Sequence, residues 1–193
     1  MESIGSLAVR ARSYRRFDES RPVALEVLEE MVDAARVAPS SANLQPLRYI
    51  LATSPDAVSR IFPHIGWAAQ LKDWQGPAEG ERPTAYIIVI GDKTGEKHHQ
   101  IDAGIAAQTM QLGLASKGIG CCMLGNINRN AIAEIAGIPD DFAIVLLLAV
   151  GYPGERITIE EIDPGQPTAY WRDAEGGHHV PKRRLAEALF KKI

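Results

Sequence analysis

One short segment, residues 39–46, concentrates groups that form hydrogen bonds, with two hydroxyls and two carboxamides between its terminal prolines. Proline fixes φ and has no backbone donor, so the two prolines should stiffen the segment. A side-chain amide offers donors and an acceptor, and a hydroxyl acts as either. A rigid polar loop of this kind suits a flat heterocycle with a polar edge better than a single charge. A plain turn after a helix explains the same residues, so the segment alone leaves both interpretations open.

Two basic segments lie near the ends of the chain. Residues 12–17 read Arg-Ser-Tyr-Arg-Arg-Phe, and residues 178–185 read His-His-Val-Pro-Lys-Arg-Arg-Leu. Either segment alone is more often a solvated patch of surface charge than a binding site. Their combination with the polar loop makes the solvated patch the weaker interpretation.

Taken together, the three segments resemble the nitroreductase family of FMN-dependent oxidoreductases. That family is marked by an Arg-Ser-x-Arg-x-Phe opening, a Pro-Ser-Ser-x-Asn-x-Gln-Pro loop and a closing basic cluster before leucine. Further marks are a helix like residues 102–108, a glycine-containing turn like residues 124–125 and a Gly-Tyr-Pro like residues 151–153. The resemblance runs from about residue 7 to residue 189, which is nearly the whole chain.

The resemblance implies an α+β, nitroreductase-like fold with a central mixed sheet flanked by helices. It also implies an intertwined homodimer that holds FMN at the subunit interface. The order of elements along the chain, with helices and strands mixed but without regular βαβ alternation, independently suggests α+β. We expect residues 1–193 to form a single nitroreductase-like domain, since their number fits one domain with a full core.

The resemblance also implies a set of FMN-binding residues, among which Pro39, Ser40, Ser41 and Asn43 contact the flavin bound mainly by the other subunit. The FMN phosphate requires several cations, and which two of the three C-terminal cations serve it is left open. Many relatives carry a basic residue where this chain has Ala11, so that contact is either absent or made by Arg10. The implied residues are Arg12, Ser13, Arg15, Pro39, Ser40, Ser41, Asn43, Leu124, Gly125, Lys182, Arg183 and Arg184.

The function implied by the resemblance is hydride transfer by a ping-pong mechanism, from NAD(P)H through FMN to an electron-poor acceptor such as a nitroaromatic or a quinone. No side chain is expected to be catalytic, because the hydride chemistry belongs to the cofactor. A same-fold flavoenzyme of other specificity, such as dehalogenation or flavin destruction, and a non-catalytic flavin-binding protein are the alternatives. The physiological acceptor, the choice between NADH and NADPH, and one- or two-electron reduction stay open. We expect the loop at residues 72–83 to select the substrate.

Composition excludes several other classes of protein. Hydrophobic residues make up 46% of the chain and charged residues 23%, which is typical of soluble globular proteins. The net charge of −3 argues against a nucleic-acid-binding protein. The longest apolar run, residues 142–150, is far shorter than the roughly 20 residues of a membrane span. No apolar signal segment follows the basic N-terminal residues, so we expect a cytoplasmic protein.

Cysteine and histidine spacing supports neither a disulfide nor a metal site. Cys121 and Cys122 are adjacent, and neighbouring residues of a strand point to opposite faces, so an ordinary disulfide between them is not expected. A metal site built from the pairs at residues 98–99 and 178–179 lacks any supporting motif. The glycine pattern of a Rossmann dinucleotide site is also missing.

Local patterns predict the elements that must position these residues. Asp102 is expected to cap a helix that ends near Lys117 and that is apolar most of the way round, so it is covered either by a partner subunit or as the central helix of a monomer. The tail from Gly154 is predicted to be loop-rich. The other predicted elements are helices from just after Pro22 to about Val37, at 61–71 and at 130–136, an exposed loop at 76–83, and strands at 48–52, 85–90, 119–123 and 142–150.

Overall fold

A computed structural model describes residues 3–94 and 96–193, without the side chains of residues 96–98. Its helices are α1 (Ile4–Arg10), α2 (Leu25–Arg36), α3 (Pro55–Ile61), α4 (Glu96–Ser116), α5 (Arg129–Ala136) and α6 (Leu185–Ala188). Its strands are β1 (Phe17–Asp18), β2 (Leu47–Ala52), β3 (Ala85–Asp92), β4 (Gly120–Leu124), β5 (Phe142–Pro153), β6 (Ile157–Ile162), β7 (Trp171–Arg172) and β8 (His178–Arg183).

Strand β5 organises the larger of two sheets. β3 pairs antiparallel with one edge of β5, and β2 pairs antiparallel with β3. β4 and β1 pair antiparallel with the opposite edge, and a parallel bridge joins Ser13 to Cys121 beside them. In the smaller sheet β8 lies between β6, which is parallel to it, and β7, which is antiparallel. Helices combined with an antiparallel larger sheet and a smaller sheet of mixed strand direction confirm the predicted α+β class.

The continuous apolar sequence of β3 is buried on both faces of the larger sheet. Ile87 and Val89 belong to one cluster of the core, and Ile88 belongs to the cluster on the other face. Cys121 joins the first cluster and Cys122 the second, and both thiols are free. Burial raises the pKa of both thiols, to about 11 at Cys122. The prediction that these cysteines do not pair with each other is confirmed.

Helix α4 begins at Glu96, so the prediction that Asp102 caps its N-terminus is wrong. No glycine or proline interrupts residues 96–101, and the helix therefore continues upstream of Asp102. Asp102 lies inside the helix and is only 3% exposed. Within the two described ranges, no helix combines the length and apolar character that crossing a bilayer requires.

Two further predictions are corrected. A helix at residues 61–71 is wrong, because α3 ends at Ile61 and Pro63 follows within a short 3₁₀ turn. The helix instead starts at Pro55, with the Ser54 side chain accepting a hydrogen bond from the backbone N–H of Ala57. The prediction of a loop-rich tail is incomplete, because β6, β7, β8 and α6 lie between the loops of residues 154–193. The remaining predicted helices and strands agree with the structure to within about three residues.

Candidate functional site

The two serines of the polar loop are held by the carboxylate of Asp102. Ser40 Oγ donates to Asp102 Oδ2 at 2.7 Å. Ser41 donates to Asp102 Oδ1 through both its hydroxyl, at 2.8 Å, and its backbone N–H, at 3.0 Å. A buried helix residue therefore fixes the beginning of a loop that is otherwise largely exposed.

The loop has an uncommon backbone conformation. Ala42, Asn43 and Gln45 have φ of 48°, 55° and 50°, in the left-handed region that L-residues rarely adopt. The backbone N–H of Gln45 donates to Ser40 Oγ at 3.0 Å, so the Ser40 hydroxyl links the two ends of the turn. Asn43 and Gln45 are exposed, and the Gln45 side-chain amide donates to the Asn43 carbonyl at 3.3 Å.

A cavity of about 250 Å³ lies beside this loop, between α2, β2 and α4. Its lining includes Ser40, Asp102 and Tyr49, with the cations of Arg36 and Arg48. The loop is therefore one wall of a concave site.

The N-terminal basic segment runs beside β4. Ser13 forms a parallel bridge with Cys121, and the backbone N–H of Tyr14 donates to the Cys121 carbonyl at 3.1 Å. Three residues after Cys121, β4 ends at Leu124, about 10 Å further along. The structure thus brings the segment at residues 12–15 to the same edge as Leu124 and Gly125.

The end of β4 presents backbone rather than side chains. Leu124 is 5% exposed, so its side chain is part of the core. Gly125 is exposed, and a Cβ placed on it would meet no atom within 4 Å. A flat group can therefore approach the backbone at this position closely.

Helix α4 contacts the N-terminal segment as well as the polar loop. Gln111 Nε2 donates to the carbonyl of Arg12 at 3.2 Å, and Gln111 is buried. Asp102 and Gln111 are nine residues apart, or about 14 Å along the helix axis. Within the chain the two segments are therefore attached to different parts of α4.

Glu155 anchors the N-terminal segment from the opposite side. Its carboxylate accepts hydrogen bonds from the backbone N–H groups of Arg15 and Arg16, and it forms an ion pair with Arg172 at 2.9 Å. The side chains of Glu155 and Arg172 are only 1% and 12% exposed. Burial lowers the pKa of Arg172, and the charge of Glu155 opposes that shift.

The Arg15 guanidinium lies between Tyr170 and His178. Its Cζ is 4.5 Å from the Tyr170 ring centroid, and its Nη1 is 3.3 Å from His178 Nε2. Burial lowers the pKa of His178 to about 4, and the charge of Arg15 acts in the same direction. His178 is therefore neutral near pH 7, and Nε2 accepts the hydrogen bond from Arg15.

The loop at residues 72–83 lies against this same region. Its Trp74 ring is 4.2 Å from Cζ of Arg172, and its Glu81 carbonyl accepts a hydrogen bond from the Phe17 N–H at 2.9 Å. Arg16 Nε is 3.2 Å from Glu81 Oε2. The loop that we expect to select the substrate thus borders the N-terminal segment.

The C-terminal cations lie at and just beyond the end of β8. Lys182 is four residues beyond His178 on β8, about 13 Å along the strand. Arg183 forms an ion pair with Glu187, and Arg184 pairs with Asp163 at 2.8 Å. That two of these cations share a phosphate with the N-terminal segment stays a prediction.

Comparison with known proteins identifies the family. A model of the nitroreductase family matches residues 8–152. The chain belongs to the nitroreductase family. An Archaeoglobus fulgidus protein, provisionally named NADH dehydrogenase/NAD(P)H nitroreductase, is 25% identical over 84% of this chain and 92% of its own length.

Two other proteins are similar to this chain. Rat iodotyrosine deiodinase 1 is 24% identical, and the match spans 76% of this chain and 61% of the deiodinase. A solved FMN-dependent nitroreductase from Clostridium difficile R20291 is 24% identical over 80% of this chain and 89% of its own, with a TM-score of 0.64. The structural likeness confirms the nitroreductase fold implied by the sequence motifs.

Sequence reasoning missed the residues that hold the motifs of this chain in place. Asp102 was interpreted as a helix cap, and Glu155 follows a Pro-Gly pair that suggests only a turn. Because α4 starts at Glu96, Asp102 is a carboxylate inside an apolar helix. Such a residue needs hydrogen-bond donors from elsewhere in the fold, and this is the signal that could have found it. His98, part of the disfavoured metal site, lies outside the described side chains, so the absence of a metal stays a prediction.

The two adjacent histidines of β8 have pKa values shifted in opposite directions, so we expect pH to change their contributions to stability in opposite directions. His178 is held neutral with a pKa of about 4, below its ordinary value near 6.5. Because the unfolded chain binds the proton first, the free energy of unfolding should fall by on the order of 1–3 kcal/mol as pH drops from about 6.5 to 4. Urea unfolding of wild type and His178→Gln at fixed protein concentration tests this, and an equal pH slope in both would contradict it.

His179 serves as the control of opposite sign. Hydrogen bonds with Asp173, at 2.9 Å from Nε2, and with Glu160 raise its pKa. Its protonated form therefore stabilises the fold below the unfolded pKa near 6.5, and this contribution is lost as pH rises through the folded pKa. We expect the difference in stability between wild type and His179→Gln to shrink with rising pH, in contrast to His178→Gln.

Proposed function

We propose that this protein is an FMN-dependent oxidoreductase that takes hydride from NAD(P)H and transfers it, in a ping-pong cycle, to an electron-poor small molecule such as a nitroaromatic or a quinone. The observation that carries the proposal is the family match over residues 8–152. That region contains the N-terminal basic segment, the polar loop and the end of β4.

The chemistry of the available groups suits FMN. Arg12 supplies a cation and Ser13 an exposed hydroxyl for a phosphate and its neighbouring ribityl oxygens, and Arg15 supplies a second cation for the ring. Arg12 Nε is buried and has no hydrogen-bond partner among the described residues. Gly125 offers an open backbone for a flat ring. When bound, FMN would supply the hydride-accepting and hydride-donating centre.

Each group of residues has a separate role in this proposal. Arg12, Ser13 and two of the C-terminal cations bind phosphate, while Arg15 places a positive charge near the N1–C2 edge of the ring, where it stabilises the anionic reduced flavin. The backbone at Leu124 and Gly125 faces the N5 edge. Residues 39–43 of a second copy close the site.

The proposed flavin site has two parts, the polar loop (the loop half-site) and residues 12–15 (the N-terminal half-site). Their separation within one copy of the chain supports a homodimer. The loop and the N-terminal segment are attached about 14 Å apart along α4 of one protomer. Around the loop the chain also exposes large apolar side chains: Val37 is 68% exposed, Leu44 63% and Ile101 63%. A second copy would cover these side chains and bring its loop to the first copy's flavin.

The direct test is the visible absorption spectrum of the purified protein, followed by anaerobic addition of NADH or NADPH. Flavin bands that bleach with a nucleotide, and return when menadione or nitrofurazone is added, are the expected result. A colourless protein that takes up no added FMN would reject the proposal.

The similarity to iodotyrosine deiodinases favours reductive dehalogenation as a second candidate function. The match covers only 61% of the rat enzyme, so the comparison includes only part of that protein. Anaerobic addition of iodotyrosine to the reduced protein separates the candidates, because only a dehalogenase releases iodide.

Replacing either proposed phosphate or ring contact should weaken FMN binding. A charge-assisted hydrogen bond contributes about 1.5–3 kcal/mol, so Arg15→Ala and Lys182→Ala should each raise the FMN Kd roughly 10- to 150-fold. Quenching of FMN fluorescence measures the Kd, and Lys191→Ala, which removes an exposed charge outside the site, is the matched control. Unchanged affinity in both variants would reject the site assignment.

A further inference from the structure

The polar loop depends on a carboxylate that does not belong to it. We propose that Asp102 is a positioning residue that holds residues 39–46 in the shape that meets the flavin of a second copy; the flavin part of this inference rests on the proposed function. Asp102 is 3% exposed and inside α4, so it acts through the serines rather than by touching the flavin.

Both oxygens of Asp102 are used as acceptors. Oδ2 accepts from the Ser40 hydroxyl, and Oδ1 accepts from the hydroxyl and the backbone N–H of Ser41. A carboxylate is an acceptor at both positions, whereas an asparagine of the same size replaces one acceptor with an NH₂ donor. The three donors therefore match a carboxylate specifically.

The hydrogen bonds continue from Asp102 across the loop. With its proton directed to Asp102, the Ser40 oxygen accepts the backbone N–H of Gln45 at 3.0 Å. This chain of two bonds ties α4 to the far end of the turn. It also fixes the rotamer of Ser40 on one side of the proposed flavin contact.

The backbone of the loop explains why such a tie is needed. Ala42, Asn43 and Gln45 all have positive φ, and none of them is glycine. Asparagine tolerates this region, whereas alanine and glutamine persist in it only where surrounding contacts impose it. Asp102 supplies three of those contacts from a long helix that is anchored in the core.

The same helix holds the other half-site, which makes the inference specific. Gln111 lies nine residues after Asp102 in α4, and its side chain donates to the Arg12 carbonyl. Asp102 should therefore affect the loop half-site, while Gln111 affects the N-terminal half-site. Replacing Asp102 should speed amide hydrogen exchange in the loop. Hydrogen exchange of the amides near Arg12 should stay unchanged.

The test compares wild type with Asp102→Asn, Ser41→Ala and the double variant, and Glu134→Gln on the exposed side of α5 is the control. Amide hydrogen exchange of the protein alone should become faster in residues 39–46 of Asp102→Asn, while β3 is unchanged. The FMN Kd should rise by about 10-fold or more. At saturating FMN, the visible circular dichroism of the flavin should also differ from wild type, which a general loss of stability would not produce.

In the double variant the FMN Kd should rise by less than the two single effects combined, because Asp102 acts in part through the Ser41 hydroxyl. If Asp102→Asn does not fold, faster loop exchange and weaker FMN binding in Ser41→Ala still support the inference, and unchanged values in Ser41→Ala overturn it. If wild-type protein binds no FMN, the proposed function is overturned. Faster amide hydrogen exchange of residues 39–46 in Asp102→Asn than in wild type would then still show that Asp102 shapes the loop, and equal exchange would show that it does not. Wild type that binds FMN, with wild-type exchange and affinity in Asp102→Asn, overturns this inference alone.

Discussion

Replacement of Glu155 by alanine is expected to lower the free energy of unfolding by about 3–5 kcal/mol, because it leaves a buried cation without its partner. The carboxylate is 1% exposed and is 2.9 Å from Arg172, whose side chain is 12% exposed. It also accepts the N–H groups of Arg15 and Arg16, which would lose a partner in the same variant. Urea unfolding at fixed protein concentration and pH 7 measures the change.

The control for Glu155→Ala is Glu161→Ala, which removes an exposed carboxylate from the neighbouring β6 and should change stability by less than about 0.5 kcal/mol. The double variant Glu155→Ala with Arg172→Met should recover part of the lost stability, since the buried charge is then removed as well. A loss below about 1 kcal/mol in Glu155→Ala would show that Arg172 finds water when its partner is removed.

The same variant bears on function because Glu155 sets the backbone direction of the segment that carries Arg15. Under the proposed function, FMN affinity should fall even though Glu155 itself is too buried to touch the cofactor. The two effects separate when binding is measured at a temperature where the variant remains folded, as judged by circular dichroism.

Elements with strong local patterns were predicted from the sequence, and those that depend on distant partners were not. The continuous apolar runs of β3 and β5 and the helical spacing of Leu28, Val32 and Ala35 in α2 are visible in short windows. The pairing of β6 with β8, by contrast, joins Ile157 to His178, and neither strand has an apolar run long enough to be recognised alone.

The candidate site shows the same division. Family motifs name the residues at the rim, such as Ser40 and Arg15, because those types recur at fixed spacing. Their supports are remote in sequence: the Arg15 N–H is bound by Glu155, 140 residues away, and the Ser40 hydroxyl by Asp102, 62 residues away. No local pattern contains such a pair, so only the folded chain reveals them.

Mixing two inactive variants is expected to restore flavin sites if each site takes residues from both copies. Arg15→Glu places a carboxylate in the N-terminal half-site. Asn43→Asp places one in the loop half-site while keeping a residue type that tolerates positive φ. Each homodimer then carries a defect in both of its sites, and neither variant should bind FMN or oxidise NAD(P)H at wild-type levels.

In a mixed dimer the two defects fall in one site and leave the other intact. Random assortment makes half of the dimers mixed, so about a quarter of all sites should recover FMN binding and NAD(P)H oxidation. Arg15→Glu mixed with Arg12→Glu is the matched control, because both changes lie in the same half-site and every dimer keeps two defective sites. Native mass spectrometry establishes that mixed dimers have formed in each sample. Recovery only in the first mixture requires that a single flavin contact Arg15 of one copy and the Asn43 loop of the other, whereas equal recovery in both, or none in either, would assign the loop and the N-terminal segment to independent functions.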